Sequence, residues 1–220
     1  MSTPALVLYG YWRSSAAYRV RIGLHLKQLA FEQRPVHLVR GGGEQHLADY
    51  AALNSQELVP TLIHAGQPLS QSLAILEYLD EMWPQPALLP ADSAGRARVR
   101  GLAQQIACDI HPLNNLRVMQ YLDQPVGVGP QARNTWMLHW MAQGLQALES
   151  QLANSSATGA FCHGHSPTLA DACLVPQLYN ARRFGLAMDD LPTLCRIEQA
   201  CLDLPAFDAA RPEHQPDAVA

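Results

Sequence analysis

The pattern of apolar and polar positions changes character about a third of the way along this chain. Before that point, short runs with strand character alternate with helical spacings. Ala5 to Tyr9 is an unbroken apolar run of the kind that fills a buried strand. From Ser14 to Gln28 the apolar residues Ala17, Val20 and Leu24 recur at helical intervals. Phe31 to Leu38 reads as a second strand, with Pro35 placing it at an edge or an interruption. The glycines at 41–43 predict a loop, and Glu44 to Leu53 a short helix. Thr61–His64 and Pro68–Ser70 flank Ala65-Gly66-Gln67, the signal of a turn between two short strands. Leu73, Ile75, Leu76, Leu79 and Met82 then form a helical stripe.

The order β-α-β-α-β-β-α predicts a thioredoxin-like α/β layer over residues 1–83. Three prolines in PQPALLPAD mark 84–92 as a linker. Strand signals then vanish. Val99, Leu102, Ala103, Ile106 and Ile110 mark one long helix, which the reading carries on through Arg117. Met137, Met141, Leu145, Leu148 and Leu152 mark another. Thr168–Phe184 and Leu191–Leu202 complete an all-helical domain assigned to 93–220, with the tail from Pro212 expected to be loosely held.

Composition narrows the function classes. Of 220 residues, 48% are apolar and 15% charged, the balance of a folded, soluble chain. The net charge of -4 and the absence of a lysine-rich block argue against nucleic acid as a partner. No apolar run reaches the ~20 residues of a membrane span, and MSTPALVLYG lacks a signal-peptide pattern. Cys108, Cys162, Cys173, Cys195 and Cys201 form no C-x-x-C and read as reduced thiols of a cytoplasmic protein.

Three short segments could carry chemistry. Pro60, in Leu58-Val59-Pro60-Thr61, precedes a strand. If its peptide bond were cis, the Val59 backbone would face outward to pair with an extended peptide; on local sequence alone an ordinary trans proline is favoured. Gln71-Ser72 stands at a helix start, where N–H groups attract carboxylates, though Ser72 could simply cap its helix. Ser14 and Ser15 hold the same place on the first helix. Besides capping, they could stabilise a thiolate through a hydroxyl hydrogen bond and the helix dipole. Together the three describe one ligand that is short, extended, and bears both a carboxylate and a thiol. Glutathione fits.

RSSAAYRVRIGL, LVPTL, QSLAILEYL, LLPAD and TLADACLVPQ closely resemble the zeta class of glutathione transferases, which includes maleylacetoacetate isomerases and bacterial maleylpyruvate isomerases. The resemblance runs from about Leu8 to Pro216. It implies the glutathione transferase fold, a cis bond at Pro60 and a homodimer. It also implies that Ser14 or Ser15 holds the thiolate and that Val59 pairs with the cysteinyl backbone. Gln71 and Ser72 would take the γ-glutamyl end, and Gln45 or His46 the glycyl carboxylate. One departure is Ala16, where the family often has cysteine. It puts in doubt any chemistry needing a protein thiol at this helix start.

A maleyl substrate carries two carboxylates, and arginine binds carboxylates bidentately at any pH. Arg13, Arg117, Arg182 and Arg183 are candidates, each of which could equally lie on a solvated face. The resemblance implies substrate binding by Arg13 and Arg183, a maleylpyruvate-type role for Arg117, and His111 and Asn115 as lining residues. The implied reaction is cis–trans isomerisation of a maleyl diketo acid. Glutathione thiolate adds to the conjugated alkene, the resulting single bond rotates, and elimination restores the cofactor. Maleylacetoacetate is placed ahead of maleylpyruvate: Ser14-Ser15 and GGGEQ favour the first, Arg117 the second. Two alternatives stay open: a transferase or dehalogenase that consumes glutathione, and a non-catalytic interaction protein of the same fold. Thr168-Leu-Ala-Asp171 reads as a capping box with no catalytic part. Cys162-His163-Gly-His165 is too sparse for a metal site, and GGG at 41–43 has neither phosphate-loop pattern.

Overall fold

The computed structural model describes residues 6–218 and divides into two units, one reaching Leu88 and resuming at Asp203, the other running Leu89–Leu202. Ala5, the first residue of the expected strand, lies outside the described residues.

In the first unit, β1 (Leu6–Gly10) alternates buried and partly exposed positions, with Leu6 and Leu8 inward. It leads into α1 (Ser15–Leu26) and then β2 (Phe31–Pro35). Tight turns at Arg40–Gly42 and Glu44–His46 precede α2 (Ala48–Leu53), which is shorter than the expected Glu44–Leu53 helix. The break falls at Leu47, whose extended backbone (φ -70°, ψ 143°) separates the Glu44–His46 turn from α2, while Gly41, Gly42 and Gly43 before it all have positive φ (60°, 89° and 110°), a run only glycine sustains without a Cβ clash. β3 (Thr61–His64), β4 (Gln67–Ser70) and α3 (Ser72–Met82) come next. Ala65 and Gly66, both at positive φ, make the hairpin turn. The sheet order is β2-β1-β3-β4. β1 pairs parallel with β2 (Leu8 opposite Gln33) and antiparallel with β3 (Leu8 opposite Leu62). Pro35 thus ends an edge strand, where its missing N–H costs nothing. Leu6, Leu8 and Leu62 from the sheet meet Val20 and Leu24 of α1 and Ile75 and Leu79 of α3 in one core.

Lys27, just past α1, holds the start of the linker. Its buried ammonium donates to Asp80 Oδ1 (2.6 Å) and to the carbonyls of Trp83 (2.7 Å) and Pro86 (2.6 Å). The chain after Leu202 departs from expectation. Residues from Asp203 group with the first unit, not with the helical one. In α9 (Pro205–Ala209) Phe207 is fully buried, and α9 packs on α1. The tail is also held. Pro212 and Gln215 are buried, and the Gln215 amide donates to the carbonyls of Ala209 (3.0 Å) and Arg211 (2.6 Å).

The second unit is helical: α4 (Ser93–Gln104), α5 (Leu116–Asp123), α6 (Pro130–Ala153), α7 (Leu169–Arg183) and α8 (Pro192–Leu202). Met137, Met141, Leu145, Leu148 and Leu152 of α6 are all buried, as their spacing predicts. The Thr168/Asp171 capping box is formed in both directions. The single long helix through Arg117 is not. After α4 the chain takes a wider π turn (Gln105–Ile110), then a tight turn (His111–Asn114). At Asn115 the backbone becomes extended (φ -72°, ψ 148°), and α5 begins afresh with the Asn115 side chain capping it. No helix among the described residues is long and apolar enough to cross a membrane.

Candidate active site

The loop between β1 and α1 carries the most chemistry in the first unit. Ser14 is the cap of α1: its Oγ accepts from the Ala17 N–H (3.2 Å), and its own N–H donates to the Tyr11 carbonyl (3.0 Å). An oxygen that accepts this bond keeps its own proton to donate, and the accepted bond polarises that O–H. Ser14 is half-exposed, whereas Ser15 is buried at the first helical position. Arg13 lies 4.5 Å above the Trp12 ring and donates from Nη2 to the Tyr11 hydroxyl (3.3 Å). Its Nε is buried without a partner.

The Val59–Pro60 peptide is cis. The Leu58 carbonyl just before it accepts from both Tyr50 Oη (2.6 Å) and Asn54 Nδ2 (2.7 Å), and both side chains also reach Thr61 Oγ1. Burial pushes the Tyr50 phenol up, so it stays a neutral donor at this carbonyl.

Gln71, the residue before α3, adopts φ 69° and ψ 112°, unusual for a residue with a Cβ. Such outliers gather at ligand sites. Its amide donates to Gln56 Oε1 (2.9 Å). Ser72 is buried at the start of α3 and accepts from Arg19 Nη1 (3.3 Å). Arg19 is itself only 2% exposed. Its sequence context gives no sign of this, because arginine at helical spacing ordinarily signals a solvated face.

His46 and Gln45 form a chain with Glu57. His46 Nδ1 meets Glu57 Oε2 (2.5 Å) and its Nε2 meets Gln45 Nε2 (2.9 Å), which fits a ring protonated at Nδ1. Gln45 is buried, and its Oε1 has no partner. An unpartnered buried acceptor, two hydroxyls at helix starts and a buried cation suit a ligand with amide donors, a thiolate and a carboxylate. The first unit therefore fits glutathione.

In the second unit, Asn115 Nδ2 donates to His111 Nε2 (3.2 Å), while Asn115 Oδ1 accepts from the Arg117 N–H (3.2 Å). Asn114 supports this turn from within, bonded to the Ile110 carbonyl and to Asn180 of α7. Arg117 is exposed on the first turn of α5. The neighbours Arg182 and Arg183 close α7. Both are exposed: Arg182 donates to Glu198 Oε1 (2.6 Å), and the Arg183 guanidinium lies 4.9 Å from the Phe184 ring.

Residues 4–81 match the family model described as glutathione S-transferase, N-terminal domain. A probable maleylacetoacetate isomerase of Vibrio cholerae is 54% identical, over 97% of this chain and 99% of its own length. A holo maleylpyruvate isomerase, described as a bacterial glutathione transferase in the zeta class, superposes with a TM-score of 0.94 at 44% identity, covering 97% of this chain and 100% of that one. The maleylacetoacetate isomerase of Anaeromyxobacter dehalogenans superposes with a TM-score of 0.88 at 47% identity, covering 100% of both chains, and carries glutathione in its active site. A second crystal structure of that protein holds dicarboxyethyl glutathione and citrate, with a TM-score of 0.87 at 45% identity and 100% of both chains covered. The fold and these likenesses define a glutathione transferase. More narrowly, the chain belongs to the zeta-class family of maleylacetoacetate and maleylpyruvate isomerases.

Proposed function

We propose that this protein is a glutathione-dependent cis–trans isomerase that converts maleylacetoacetate to fumarylacetoacetate, working as a cytoplasmic homodimer. The observation that carries the reading is the Ser14 cap, whose hydroxyl proton remains to be donated at a helix N-terminus, beside Arg13 stacked on Trp12. The dicarboxyethyl glutathione bound in a relative's active site, a glutathione carrying two further carboxylates, supports it.

When bound, glutathione supplies a thiolate that adds to the conjugated alkene and leaves again after bond rotation. The chain's own residues set the conditions. Ser14 donates its hydroxyl hydrogen bond to the thiolate, and the α1 N-terminus adds a positive field; both lower the thiol pKa. Ser15, buried at the first helical position, is the alternative hydroxyl. Val59 offers its backbone to the cysteinyl unit. Gln71 and Ser72 take the γ-glutamyl carboxylate, with Arg19 adding positive charge behind Ser72. Gln45, oriented by His46, meets the glycyl end. Arg13 and Arg183 bind the substrate carboxylates and stabilise negative charge that develops on the diketo acid. His111 and Asn115 shape the substrate side.

Arg117, exposed at the start of α5, favours a second reading as a maleylpyruvate isomerase. The deciding experiment offers each maleyl substrate in excess over a small, fixed amount of glutathione. Many turnovers per glutathione with maleylacetoacetate as the better substrate are expected. Consumption of one glutathione per substrate would replace isomerisation with conjugation, and a preference for maleylpyruvate would select the second reading.

A further inference from the structure

The sequence Tyr11-Trp12 immediately precedes Arg13 and Ser14, and it is gripped from both sides. The Trp12 N–H donates to Asp217 Oδ2 (3.0 Å), although the two residues are 205 positions apart. The Trp12 carbonyl accepts from Arg21 Nη2 (2.9 Å), and the Tyr11 carbonyl accepts a longer bond from Arg21 Nη1 (3.5 Å). Arg21 Nε donates in turn to the Ala210 carbonyl (3.0 Å). Both holds therefore lead to the C-terminal segment, which Gln215 and Pro212 keep folded. Arg21 is 1% exposed, so its charge is spent inside the protein on carbonyls of the β1–α1 loop and the tail.

The gripped dipeptide sets the geometry of Arg13 and Ser14. The Tyr11 carbonyl also receives the Ser14 N–H, so its position fixes the entry to the cap. The Trp12 ring is the platform for the Arg13 guanidinium, and the Tyr11 hydroxyl accepts from Arg13 Nη2. A carboxylate on a backbone N–H and a guanidinium on backbone carbonyls are charge-assisted bonds, stronger than neutral ones.

We infer that Asp217 and Arg21 are positioning residues: they hold Tyr11-Trp12 so that Ser14 meets the thiolate and Arg13 meets the substrate carboxylate. Neither touches a reactant. The inference rests on the assignment of Ser14 and Arg13 given above. It makes the C-terminal segment a working part of the glutathione unit.

The test is Asp217→Ala with Asp217→Asn beside it, since the Asn Oδ1 can still accept from the Trp12 N–H. Three quantities are read: the thiol pKa of bound glutathione, from thiolate absorbance against pH; the affinity for S-methylglutathione, which has no ionisable thiol; and isomerase kcat. Asp217→Ala is expected to raise the bound thiol pKa and to lower kcat by about tenfold to a hundredfold, the scale of a misplaced reacting group. S-methylglutathione affinity should hold, because Val59, Gln71 and Ser72 are untouched, and Asp217→Asn should restore most of kcat. Unaltered thiol pKa and kcat in Asp217→Ala would overturn the inference. So would parallel loss of affinity, melting temperature and kcat that Asn fails to rescue, since that marks a purely structural role. A wild-type protein that leaves the bound thiol pKa at its free value would instead sink the Ser14 assignment itself, whatever Asp217 does.

Discussion

At Ser14 the capping role and the proposed chemical role share one oxygen. Capping uses a lone pair and the thiolate uses the proton, so the two do not compete. Ser14→Ala removes both. It should lower stability by about 1 kcal/mol, the usual worth of a cap, and slow isomerisation on the order of tenfold, the effect of about 1.4 kcal/mol in the barrier. Titration of the bound thiol, compared with Ser15→Ala, checks this: the larger pKa rise belongs to Ser14→Ala. The two arginines that close α7 make a second contrast. Arg183→Leu should raise KM for the maleyl substrate by about tenfold or more, as loss of a charge-assisted carboxylate contact does. Arg182→Leu should leave KM alone and lower the melting temperature, because Glu198 is buried and loses its cation. Steady-state kinetics and a melting curve on both variants separate these outcomes. From the sequence the two neighbours could not be told apart, since partner choice depends on α8, which the fold brings to Arg182.

At the scale of elements, α1 does the most. It buries Val20 and Leu24 in the core, presents Ser14 at its start, and sends two arginines inward. It also carries a pH liability near its end. Burial, and secondarily Arg21, push the His25 imidazole below its ordinary value of 6.5. The native state then holds fewer protons on His25 than the unfolded chain does. Its stability is thus unaffected well above pH 6.5 and falls as pH drops through 6.5 toward the folded-state value. Urea midpoints at pH 7.5 and 5.5 should converge in His25→Gln relative to the wild type. Most elements were readable from spacing alone, including the capping box on α7 and the α6 stripe. The break at Asn115 was not, because Ile106 and Ile110 continue the helical period into it. The available signals were Pro112, which suits a first turn, and Asn115 ahead of Leu116, which suits a cap.

At the scale of the whole molecule, the segment after Leu202 groups with the first unit and not with the helical one. Phe207 is fully buried and the α9 helix lies on α1, so the segment should open together with α1. Native-state hydrogen exchange across a urea series checks this: amides of residues 207–215 are expected to share the opening free energy of α1, not that of α6 or α7. By composition the tail, short, polar and proline-containing, predicts a loosely held segment. Its anchors, the Trp12 N–H and the Arg21 guanidinium, lie about two hundred residues earlier and leave no mark on local composition.

Local chemistry alone determined a good deal here. Apolar periodicity set the β-α-β-α-β-β-α order, the proline-rich linker and the helical second part, because each element must bury one stripe or face. The motif RSSAAYRVRI located the start of α1, capped by Ser14. Tertiary structure decided what each polar side chain faces. It turned Arg19 to Ser72 and Arg21 to the loop carbonyls, paired Arg182 with Glu198, and bound Asp217 to Trp12. A polar group's partner depends on which distant backbone or side chain folding brings within about 3 Å, the reach of a hydrogen bond, and no spacing along the chain encodes that distance.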